Sequence, residues 1–376
     1  MRVLVTGGGT GGHLYPGLAI AEALRRRRPD VAILFVGGDR LEARVVPGEG
    51  WPFQPIAARP LSRRVGVAAM WALAVTAIGT LQAVRLVLRW KPDVVVATGG
   101  YVSVPVGAAA AMLGKPMLIQ EQNLRPGLST RLLARWARCA SVPHPDAGAR
   151  LPAKRIEVTG VPLRRRAVEG DRARGQARWG LAPDRLTLLV IGGSQGAASL
   201  NRATSRLADL LMYDARLQIL HHTGSEHLHD VRQAIGHREH VGPPALRHIA
   251  VPFLDPIGDA YACADLVLCR AGASTLAEVT AWGLPAVVVP YPHAAERHQE
   301  DNAAVLIGAG AAVRVGDEDL GTTALLEIIA ALIDDAERRA AMGAASRTLG
   351  RPEAADVVAG LVEALGRERQ TQEVQA

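Results

Sequence analysis

The chain has 376 residues, which is long for one domain and sufficient for two domains of roughly 150–200 residues each. Hydrophobic residues make up 49% of the sequence, and three scattered cysteines exclude a disulfide framework and indicate a reducing, cytoplasmic compartment. The net charge is +7 and the basic residues are nearly all arginine, which suits phosphate recognition, although a solvated basic surface explains it equally well. No basic–aromatic nucleic-acid module occurs, so we expect no nucleic-acid partner.

Strand and helix patterns alternate along the chain, which is typical of parallel sheets covered by helices on both faces. Strands are predicted in the first half at residues 3–6, 33–36, 94–97, 117–120 and near 156–159, and in the second half at 186–191, 218–221, 250–252, 266–269 and 286–289. Helices are predicted at 322–333, 336–349 and 353–368, and residues 370–376 are expected to be frayed. The sequence therefore predicts an α/β protein with two doubly wound, Rossmann-like parallel-sheet domains separated by a cleft.

The first strand ends in a glycine loop at residues 7–12 (GGGTGG), followed directly by His13 and a helix. Glycine has no Cβ, so backbone N–H groups at the helix N-terminus are open to a phosphate or a polar ligand. A histidine in the first helical turn beside such a loop can act as a base near neutral pH. The loop also contains the GxGxxG pattern of dinucleotide-binding domains, with Asp39 placed to hold a ribose. A turn without a ligand, and a His13 that only caps the helix, also fit these residues.

Residues 65–84 carry no charge and are flanked by Arg63, Arg64 and Arg85. A membrane span needs about 20 mostly apolar residues, so length alone permits one. Polar residues interrupt the stretch, and it lies inside the nucleotide-domain pattern, so we interpret it as a buried or surface helix. Trp71 and the flanking arginines favour a helix that lies in the interface of an anionic membrane, and an ordinary core helix fits nearly as well.

Polar loops follow two further strands of the first half, at residues 98–103 (TGGYVS) and 120–123 (QEQN). Because ligands bind at the carboxyl edge of doubly wound sheets, we expect both loops to line one crevice. Polar turns without a ligand are the alternative.

The division between the domains is predicted near residues 159–162 (TGVP), and the charged stretch 163–178 is interpreted as a linker. We therefore predict an N-terminal domain over residues 1–161 and a C-terminal domain over residues 162–350. The helix at 353–368 is expected to pack back on the N-terminal domain.

The second half repeats the strand–glycine–helix pattern at residues 192–197 (GGSQGA) and 266–278 (LVLCRAGASTLAE). Small residues at the start of the second helix leave room for a diphosphate or a sugar against the backbone. Glu278 lies about one turn into that helix, where its carboxylate can accept two ribose hydroxyls. Ser274 or Thr275 with Glu278 also fits a capping box that needs no ligand. The polar stretch 290–302 suits sugar hydroxyls.

Two segments are weak candidates for a metal site. The seven histidines between His221 and His248 lack clustered carboxylates, and the acidic triplet at 317–319 lies in a charged turn rather than at a strand end. We therefore predict no metal and no cofactor. Leaving-group charge would then be met by helix N-termini and arginines.

Six of these segments, in order along nearly the whole chain, resemble the MurG family of glycosyltransferases. They are GGTGGH at 8–13, GGYVS at 99–103, EQN at 121–123, GGSQGA at 192–197, AGASTLAE at 271–278 and AAERHQEDNA at 294–303. The resemblance implies a GT-B fold, with the acceptor on the N-terminal domain and UDP-N-acetylglucosamine held mainly by the C-terminal one. It also implies an inverting, metal-independent transfer of N-acetylglucosamine to the C4 hydroxyl of the muramoyl sugar of undecaprenyl-linked lipid I. The product would be lipid II for peptidoglycan, made at the cytoplasmic face of the inner membrane, with the 65–84 helix and its arginines on the anionic surface.

The resemblance also assigns roles to individual residues. His13 would be the catalytic base or a close helper, and the backbone of Leu254 would bind uracil. Around the sugar nucleotide it places Thr10, Gly11, Gly12, Asn123, Arg164, Ser194, Leu254, Ala273, Ser274, Thr275, Leu276, Ala277, Glu278 and Gln299. Within this set, Glu278 would bind the ribose, Gln299 the sugar hydroxyls, and Arg164 the charge on departing UDP. On the acceptor side the candidates are Tyr101, Ser103 and Gln122.

The chain departs from the family pattern at three positions. Gln120 stands where many members have histidine, which weakens the idea of a second histidine sharing the base role, and Val161 and Thr130 stand where asparagine is usual or frequent. Three alternatives stay open: another GT-B enzyme acting on a lipid or natural product, a nicotinamide-dependent dehydrogenase using residues 7–12, and a non-catalytic sugar-nucleotide sensor.

Overall fold

The computed structural model describes residues 1–60, 67–241 and 246–375. The chain forms two compact units: unit 1 comprises Met1–Arg164 and Pro352–Ala376, and unit 2 comprises Arg165–Arg351. Each unit contains one parallel sheet packed between helices, which confirms the predicted α/β class with two doubly wound domains.

Unit 1 has a seven-stranded sheet. Its strands are β1 (Arg2–Thr6), β2 (Ala32–Gly37), β3 (Phe53–Pro55), β4 (Val94–Ala97), β5 (Met117–Gln120), β6 (Cys139–Val142) and β7 (Ile156–Val158). They pair in the order β3-β2-β1-β4-β5-β6-β7, all in parallel. The helices between them are α1 (Gly11–Arg27), α2 (Leu41–Gly48), α3 (Val67–Trp90), α4 (Ser103–Met112), α5 (Leu128–Ala134) and α6 (Pro145–Gly148).

Unit 2 has a six-stranded sheet in the order β10-β9-β8-β11-β12-β13, also fully parallel. Its strands are β8 (Leu186–Ile191), β9 (Leu217–His222), β10 (Arg247–Val251), β11 (Leu266–Arg270), β12 (Ala286–Val289) and β13 (Ala312–Arg314). Its helices are α7 (Arg165–Val168), α8 (Arg172–Trp179), α9 (Ala198–Leu210), α10 (Leu228–Val241), α11 (Ile257–Cys263), α12 (Ala273–Trp282), α13 (His298–Gly308), α14 (Ala324–Asp334) and α15 (Ala336–Leu349).

The inner strands are short apolar runs that are buried on both faces, such as β4 and β12. Such runs fit a sheet with helices on both sides, because successive side chains point to opposite faces and both faces are dry. Strands β3, β6 and β13 were not predicted from the sequence, and they have only three or four residues each.

The stretch 163–178, which we expected to be a linker, instead forms α7 and α8. The guanidinium of Arg174 donates to the buried Asp259 of α11 at 2.6 Å, and the backbone N–H of Asp171 donates to the same carboxylate at 2.8 Å. The hydrogen bonds from Arg174 lower the pKa of Asp259. Charge pairing therefore attaches a segment that lacks the apolar periodicity of a core helix.

The last helix, α16 (Ala354–Gln375), packs on α1 in unit 1, and it extends past residue 370, where we expected fraying. Val358 and Val362 are buried in the same apolar cluster as Leu24 of α1. Two ion pairs flank this cluster, from Arg26 to Asp356 at 3.0 Å and from Arg27 to Glu363 at 3.1 Å.

Helix α3 lies on the surface of unit 1 with one face bound and one face exposed. Its bound face packs on α4, and the Gln82 amide oxygen accepts the N–H of Ala57 at 2.8 Å. Its exposed face carries the large apolar side chains Met70, Trp71, Leu73, Ile78, Leu81 and Leu88, and Gln82, Arg85 and Arg89 are exposed as well. The stretch Met70–Trp90, with mean hydropathy 1.6, is long and apolar enough to cross a membrane, but a single such helix is weak evidence for a span. Residues 65 and 66 of the predicted helix lie outside the described residues.

We predict that Val362→Ala lowers the free energy of unfolding by roughly 1–3 kcal/mol, because it leaves a cavity in the α1–α16 contact. Guanidinium denaturation measures the change. Val357→Ala on the same helix is the matched control, since Val357 is 43% exposed. Equal, small effects from both variants would contradict docking of α16 through this face.

Candidate active site

Each sheet has one point where the strand order reverses, between β1 and β4 in unit 1 and between β8 and β11 in unit 2. Loops that follow the two strands at such a point separate and leave a crevice at the carboxyl edge of the sheet. The four loops concerned are residues 7–10 and 98–102 in unit 1 and residues 192–197 and 271–272 in unit 2. These are the glycine-rich loops that the sequence singled out.

Glycine is required where the two loops of unit 1 meet. A Cβ at Gly7 would lie 1.8 Å from Oγ1 of Thr98, and a Cβ at Gly99 would lie 2.8 Å from Nδ1 of His13. Gly99 also has a φ of +98°, a conformation that side chains disfavour. The glycines therefore allow close contact between the His13 ring and the loop after β4.

His13 is half-buried in the first turn of α1, and Gln122 determines which of its ring nitrogens carries hydrogen. The amide nitrogen of Gln122 donates to the carbonyl oxygens of Thr98 at 2.8 Å and Gln120 at 3.2 Å, so its amide oxygen faces the ring. Nδ1 of His13 lies 3.1 Å from that amide oxygen and 3.2 Å from the Thr98 carbonyl oxygen. Both neighbours can only accept, so Nδ1 of the neutral ring carries the hydrogen and Nε2 keeps its lone pair.

Two buried carboxylates hold the loops around His13: Glu42, which was not predicted from the sequence, and Glu121, which lies in the loop 120–123 that the sequence predicts to line the crevice. Glu42 of α2 accepts the N–H groups of Gly9 at 3.1 Å and Gly38 at 2.9 Å. Because a carboxylate already occupies the Gly9 amide, a second anion at that point would be repelled, which disfavours the dinucleotide interpretation. Asp39, which that interpretation required, is exposed. The sequence marks Glu42 only by its position, as an acidic residue in the first turn of α2.

Glu121 is the second of these carboxylates. It accepts the N–H groups of Gln122 at 2.9 Å, Asn123 at 3.0 Å and Gly127 at 3.1 Å, which fixes the loop after β5. The side-chain amide of Asn123 also donates to Glu121 at 3.3 Å and is half-buried. The loop therefore presents Asn123 and Gln122 from a rigid backbone.

The three positions that depart from the family pattern are all buried. The Gln120 amide donates to the carbonyl oxygen of Glu121 at 2.9 Å and accepts from the hydroxyl of Ser141. Thr130 and Val161 are buried as well. The Gln120 side chain thus serves the interior of the sheet edge.

Two of the acceptor-side candidates, Ser103 and Tyr101, differ in how accessible their side chains are to a ligand. The Ser103 hydroxyl is buried and donates to the carbonyl oxygen of Gly99 at 2.7 Å, so it supports the loop. Tyr101 is half-buried with its ring against Gly9, and burial raises the pKa of its phenol. Of the two, Tyr101 has the more accessible side chain.

Arg164, at the end of the first segment of unit 1, forms ion pairs with two carboxylates. Its guanidinium donates to Glu49 at 2.6 and 2.8 Å and to Glu22 at 2.8 Å. Burial lowers the pKa of Arg164, but the hydrogen bonds to Glu49 and Glu22 outweigh it and raise the pKa. To bind a diphosphate, Arg164 would have to exchange at least one of these partners.

In unit 2, helices α9 and α12 begin beside each other at the carboxyl edge without side-chain caps. Their N-cap residues are Ala197 and Gly272. Ser194 is exposed in the loop before α9, and Oγ of Ser274 is buried without a hydrogen-bond partner among the described residues. Uncapped N–H groups and the helix dipole together favour an anionic group at this edge.

Glu278 does not form the capping box that the sequence left open. Its carboxylate instead accepts the hydroxyl of Tyr261 at 2.7 Å. Burial raises the pKa of Glu278 to about 7, and the Tyr261 hydrogen bond opposes that rise. The other α12 residues, Ala273, Thr275, Leu276 and Ala277, continue the first turns of the helix.

The remaining unit 2 candidates lie on neighbouring loops of the same edge. Leu254 follows β10 with a buried side chain, and Phe253 beside it is exposed and packs edge-on against His222 at 5.8 Å. Burial lowers the pKa of His222, and a hydrogen bond with the backbone of Pro252 opposes that shift. Gln299, at the start of α13, accepts the N–H of Tyr291 at 2.9 Å.

Neither weak metal candidate forms a cluster of ligands. His221 bonds to Asn201 at 3.0 Å and to His248 at 3.1 Å, and Asp317 accepts from Arg270 at 2.5 Å. Within residues 1–60, 67–241 and 246–375, no group of three or more His, Cys, Asp or Glu side chains is placed to hold a metal ion.

Both halves of the chain match domains of known glycosyltransferases. Residues 3–142 match the glycosyltransferase family 28 N-terminal domain, and residues 187–358 match the glycosyltransferase family 28 C-terminal domain.

Two relatives are similar over nearly their whole length. A protein of Moorella thermoacetica is 43% identical over 361 residues, covering 95% of this chain and 97% of that protein. A protein of Halothermothrix orenii is 40% identical over 367 residues, covering 96% and 98%. Both are named UDP-N-acetylglucosamine–N-acetylmuramyl-(pentapeptide) pyrophosphoryl-undecaprenol N-acetylglucosamine transferase.

Solved structures resemble the fold. The crystal structure of MurG from Acinetobacter baumannii has a TM-score of 0.76 and 28% identity, covering 96% of this chain and 99% of that one. The complex of S. aureus MnaA with UDP has a TM-score of 0.66 and 16% identity, covering 95% of each chain, and shares the fold alone.

Proposed function

The chain belongs to glycosyltransferase family 28, within the MurG group with its GT-B fold, and from that premise we propose that it converts lipid I to lipid II. The reaction transfers N-acetylglucosamine from UDP-N-acetylglucosamine to the C4 hydroxyl of the N-acetylmuramoyl sugar of undecaprenyl-pyrophosphoryl-N-acetylmuramoyl-pentapeptide. The single observation that carries the proposal beyond the family is the oriented His13 ring, whose Nε2 keeps its lone pair.

We assign the binding of the sugar nucleotide mainly to unit 2. The uncapped starts of α9 and α12, with Ser194 and Ser274, suit the diphosphate, and the Glu278 carboxylate suits the ribose hydroxyls. The backbone at Leu254 would bind uracil, and Gln299 would bind the sugar hydroxyls. The family resemblance also assigns Thr10, Gly11, Gly12, Asn123 and Arg164 to the sugar nucleotide, and Arg164 would have to release Glu22 or Glu49 to bind a phosphate.

Unit 1 is assigned the proton transfer. Nε2 of His13 accepts the proton of the C4 hydroxyl while that oxygen forms a bond to C1 of N-acetylglucosamine. The bond from C1 to the β-phosphate oxygen breaks at the same time, and UDP leaves with the electron pair. Attack opposite the leaving group inverts the configuration at C1. Positive charge on the His13 ring is stabilised through Nδ1–H by Thr98 and Gln122.

We predict that His13→Ala reduces kcat for transfer of labelled N-acetylglucosamine to lipid I by roughly 10²–10⁴-fold, the contribution typical of a general base. Binding of UDP, measured by calorimetry, is expected to stay near normal. His229→Ala, at an exposed position of unit 2, is the matched control. A His13→Ala variant with normal kcat would assign the base elsewhere, and a wild-type protein without transfer would reject the function.

We also propose that the reaction needs no metal ion. The only Asp-x-Asp sequence of the chain begins at Asp317, which is held by Arg270 and by the hydroxyl of Ser199 at 3.0 Å. Helix N-termini supply positive potential at the same sheet edge.

In excess EDTA, we predict an unchanged rate of transfer to lipid I, because helix N-termini rather than a cation balance the charge on UDP. Added Mg²⁺ or Mn²⁺ is expected to make no difference. Loss of activity in EDTA that either ion restores would contradict this account.

The exposed face of α3 is proposed to bind the cytoplasmic surface of the inner membrane. Thr76 and Thr80 donate their hydroxyls to the carbonyl oxygens of Ala72 and Thr76, so the helix itself satisfies these two polar groups. Arg85 and Arg89 are exposed near the end of α3, where they suit anionic head groups. The helix packs on α4, which supports a surface position rather than a span.

We predict that the double variant Leu73→Ser, Leu81→Ser weakens binding to phosphatidylglycerol vesicles by about tenfold or more, because two leucine side chains lose their apolar burial. Co-sedimentation measures the binding. Leu210→Ser, at an equally exposed position of unit 2, is the control. Equal binding by both variants would place the membrane contact outside this face.

A further inference from the structure

Tyr261 is a buried side chain whose hydroxyl has a specific partner, and the sequence analysis gave it no role. It lies in α11 with 1% of its surface exposed, and its hydroxyl donates to Oε2 of Glu278 in α12 at 2.7 Å. We propose that Tyr261 is a positioning residue whose hydroxyl holds the Glu278 carboxylate oriented toward the ribose of the donor. This inference rests on the proposed sugar-nucleotide site.

The surroundings of Tyr261 fix the direction of its hydroxyl. Its ring stacks on Trp282 of α12 with centroids 6.5 Å apart, and the Trp282 indole N–H donates to the carbonyl oxygen of Ala167 at 2.7 Å. Tyr261, Leu276 and Val279 belong to one apolar cluster between α11, α12 and the sheet. The ring therefore has little freedom to rotate, and phenylalanine can fill the same space without the hydroxyl.

The hydrogen bond matters because a carboxylate in this place is close to losing its charge. Burial raises the pKa of Glu278 to about 7, and the Tyr261 bond is the contribution that lowers it. Cys269 of β11 also faces Glu278, but burial raises the pKa of its thiol to about 12, so it is neutral. Among the described residues of α7, α13 and α15, which also pack on α12, no charged group contributes to this pKa.

Removal of the Tyr261 hydroxyl should therefore change the pKa of Glu278, and with it the affinity for the donor, in a predictable direction. Without Tyr261 as donor, the pKa of Glu278 rises, so a smaller fraction is ionised near neutral pH. A protonated carboxyl loses acceptor capacity and can no longer accept two ribose hydroxyls equally. Donor binding should then weaken most at low pH and recover as the pH rises.

The test is calorimetric binding of UDP-N-acetylglucosamine and its 2′-deoxyribose analogue at pH 6 and pH 8. The diphosphate of this donor is esterified at both ends and does not titrate in that range. For Tyr261→Phe we expect about tenfold weaker donor binding at pH 6, the loss of one hydrogen bond to a charged group, and a much smaller defect at pH 8. The preference for the ribose over the deoxyribose donor should shrink in parallel. In transfer assays, KM should rise while kcat changes little.

Two further variants separate positioning from packing. Tyr213→Phe changes an exposed tyrosine of the same unit and should have no effect. Glu278→Gln cannot ionise, so it should lose both the pH dependence and the ribose preference while keeping the packing of α11 and α12. If Tyr261→Phe is poorly folded, a wild-type affinity that does not rise between pH 6 and pH 8 would still overturn the proposal.

The outcomes distinguish the inference from its premise. One outcome would overturn the positioning role and leave the proposed function intact. In it, the wild type binds the donor with a ribose preference, and Tyr261→Phe binds the donor as tightly as the wild type at both pH values. A pH-independent weakening by Tyr261→Phe would reduce Tyr261 to packing. Failure of the wild type to bind the donor, or to prefer the ribose donor over the deoxyribose donor, would contradict the proposed sugar-nucleotide site itself.

Discussion

Backbone N–H groups at the starts of α1, α9 and α12 determine what the two sheet edges can bind. All strands of each sheet are parallel, so their carboxyl ends meet at one edge and the helices that follow start there. These three helices have Thr10, Ala197 and Gly272 as N-cap residues, and none of them caps the helix with its side chain. The orphan donors and the positive end of the dipole are therefore not satisfied by these N-cap side chains, and they suit an anionic or polar ligand.

The two units differ in the charges that surround these helix starts, and this difference separates their chemistry. In unit 1, buried Glu42 and Glu121 hold the loops on either side of His13. Negative charge there suits a neutral hydroxyl and a ring that becomes positive as it takes a proton. In unit 2, the buried Arg270 lies at the end of β11, and Asp317 neutralises part of its charge. Its helix starts therefore suit a diphosphate better than those of unit 1.

Local patterns predicted the fold and the framework of the site because they depend on short stretches of chain. Apolar runs followed by glycine identified most strands and the loops of both reversal points. What the sequence missed depends on contacts between distant residues. Glu42 meets Gly9 across 33 positions, Arg164 meets Glu22 across 142, and Tyr261 reaches Glu278 from a neighbouring helix. No periodicity encodes such pairs, and the same holds for strands of three residues such as β3 and β13.

The unusual Gln120 illustrates why a departure from the family pattern need not disturb the orientation of the His13 ring. Its side chain bonds to Ser141 and to backbone at the sheet edge, away from the His13 ring. What orients Gln122, and through it His13, is the backbone carbonyl oxygen of residue 120 together with that of Thr98. Any amino acid at position 120 supplies that backbone carbonyl oxygen. The orientation of the His13 ring is thus set by main-chain atoms at the end of β5 and just after β4, so it tolerates a change of side chain at position 120.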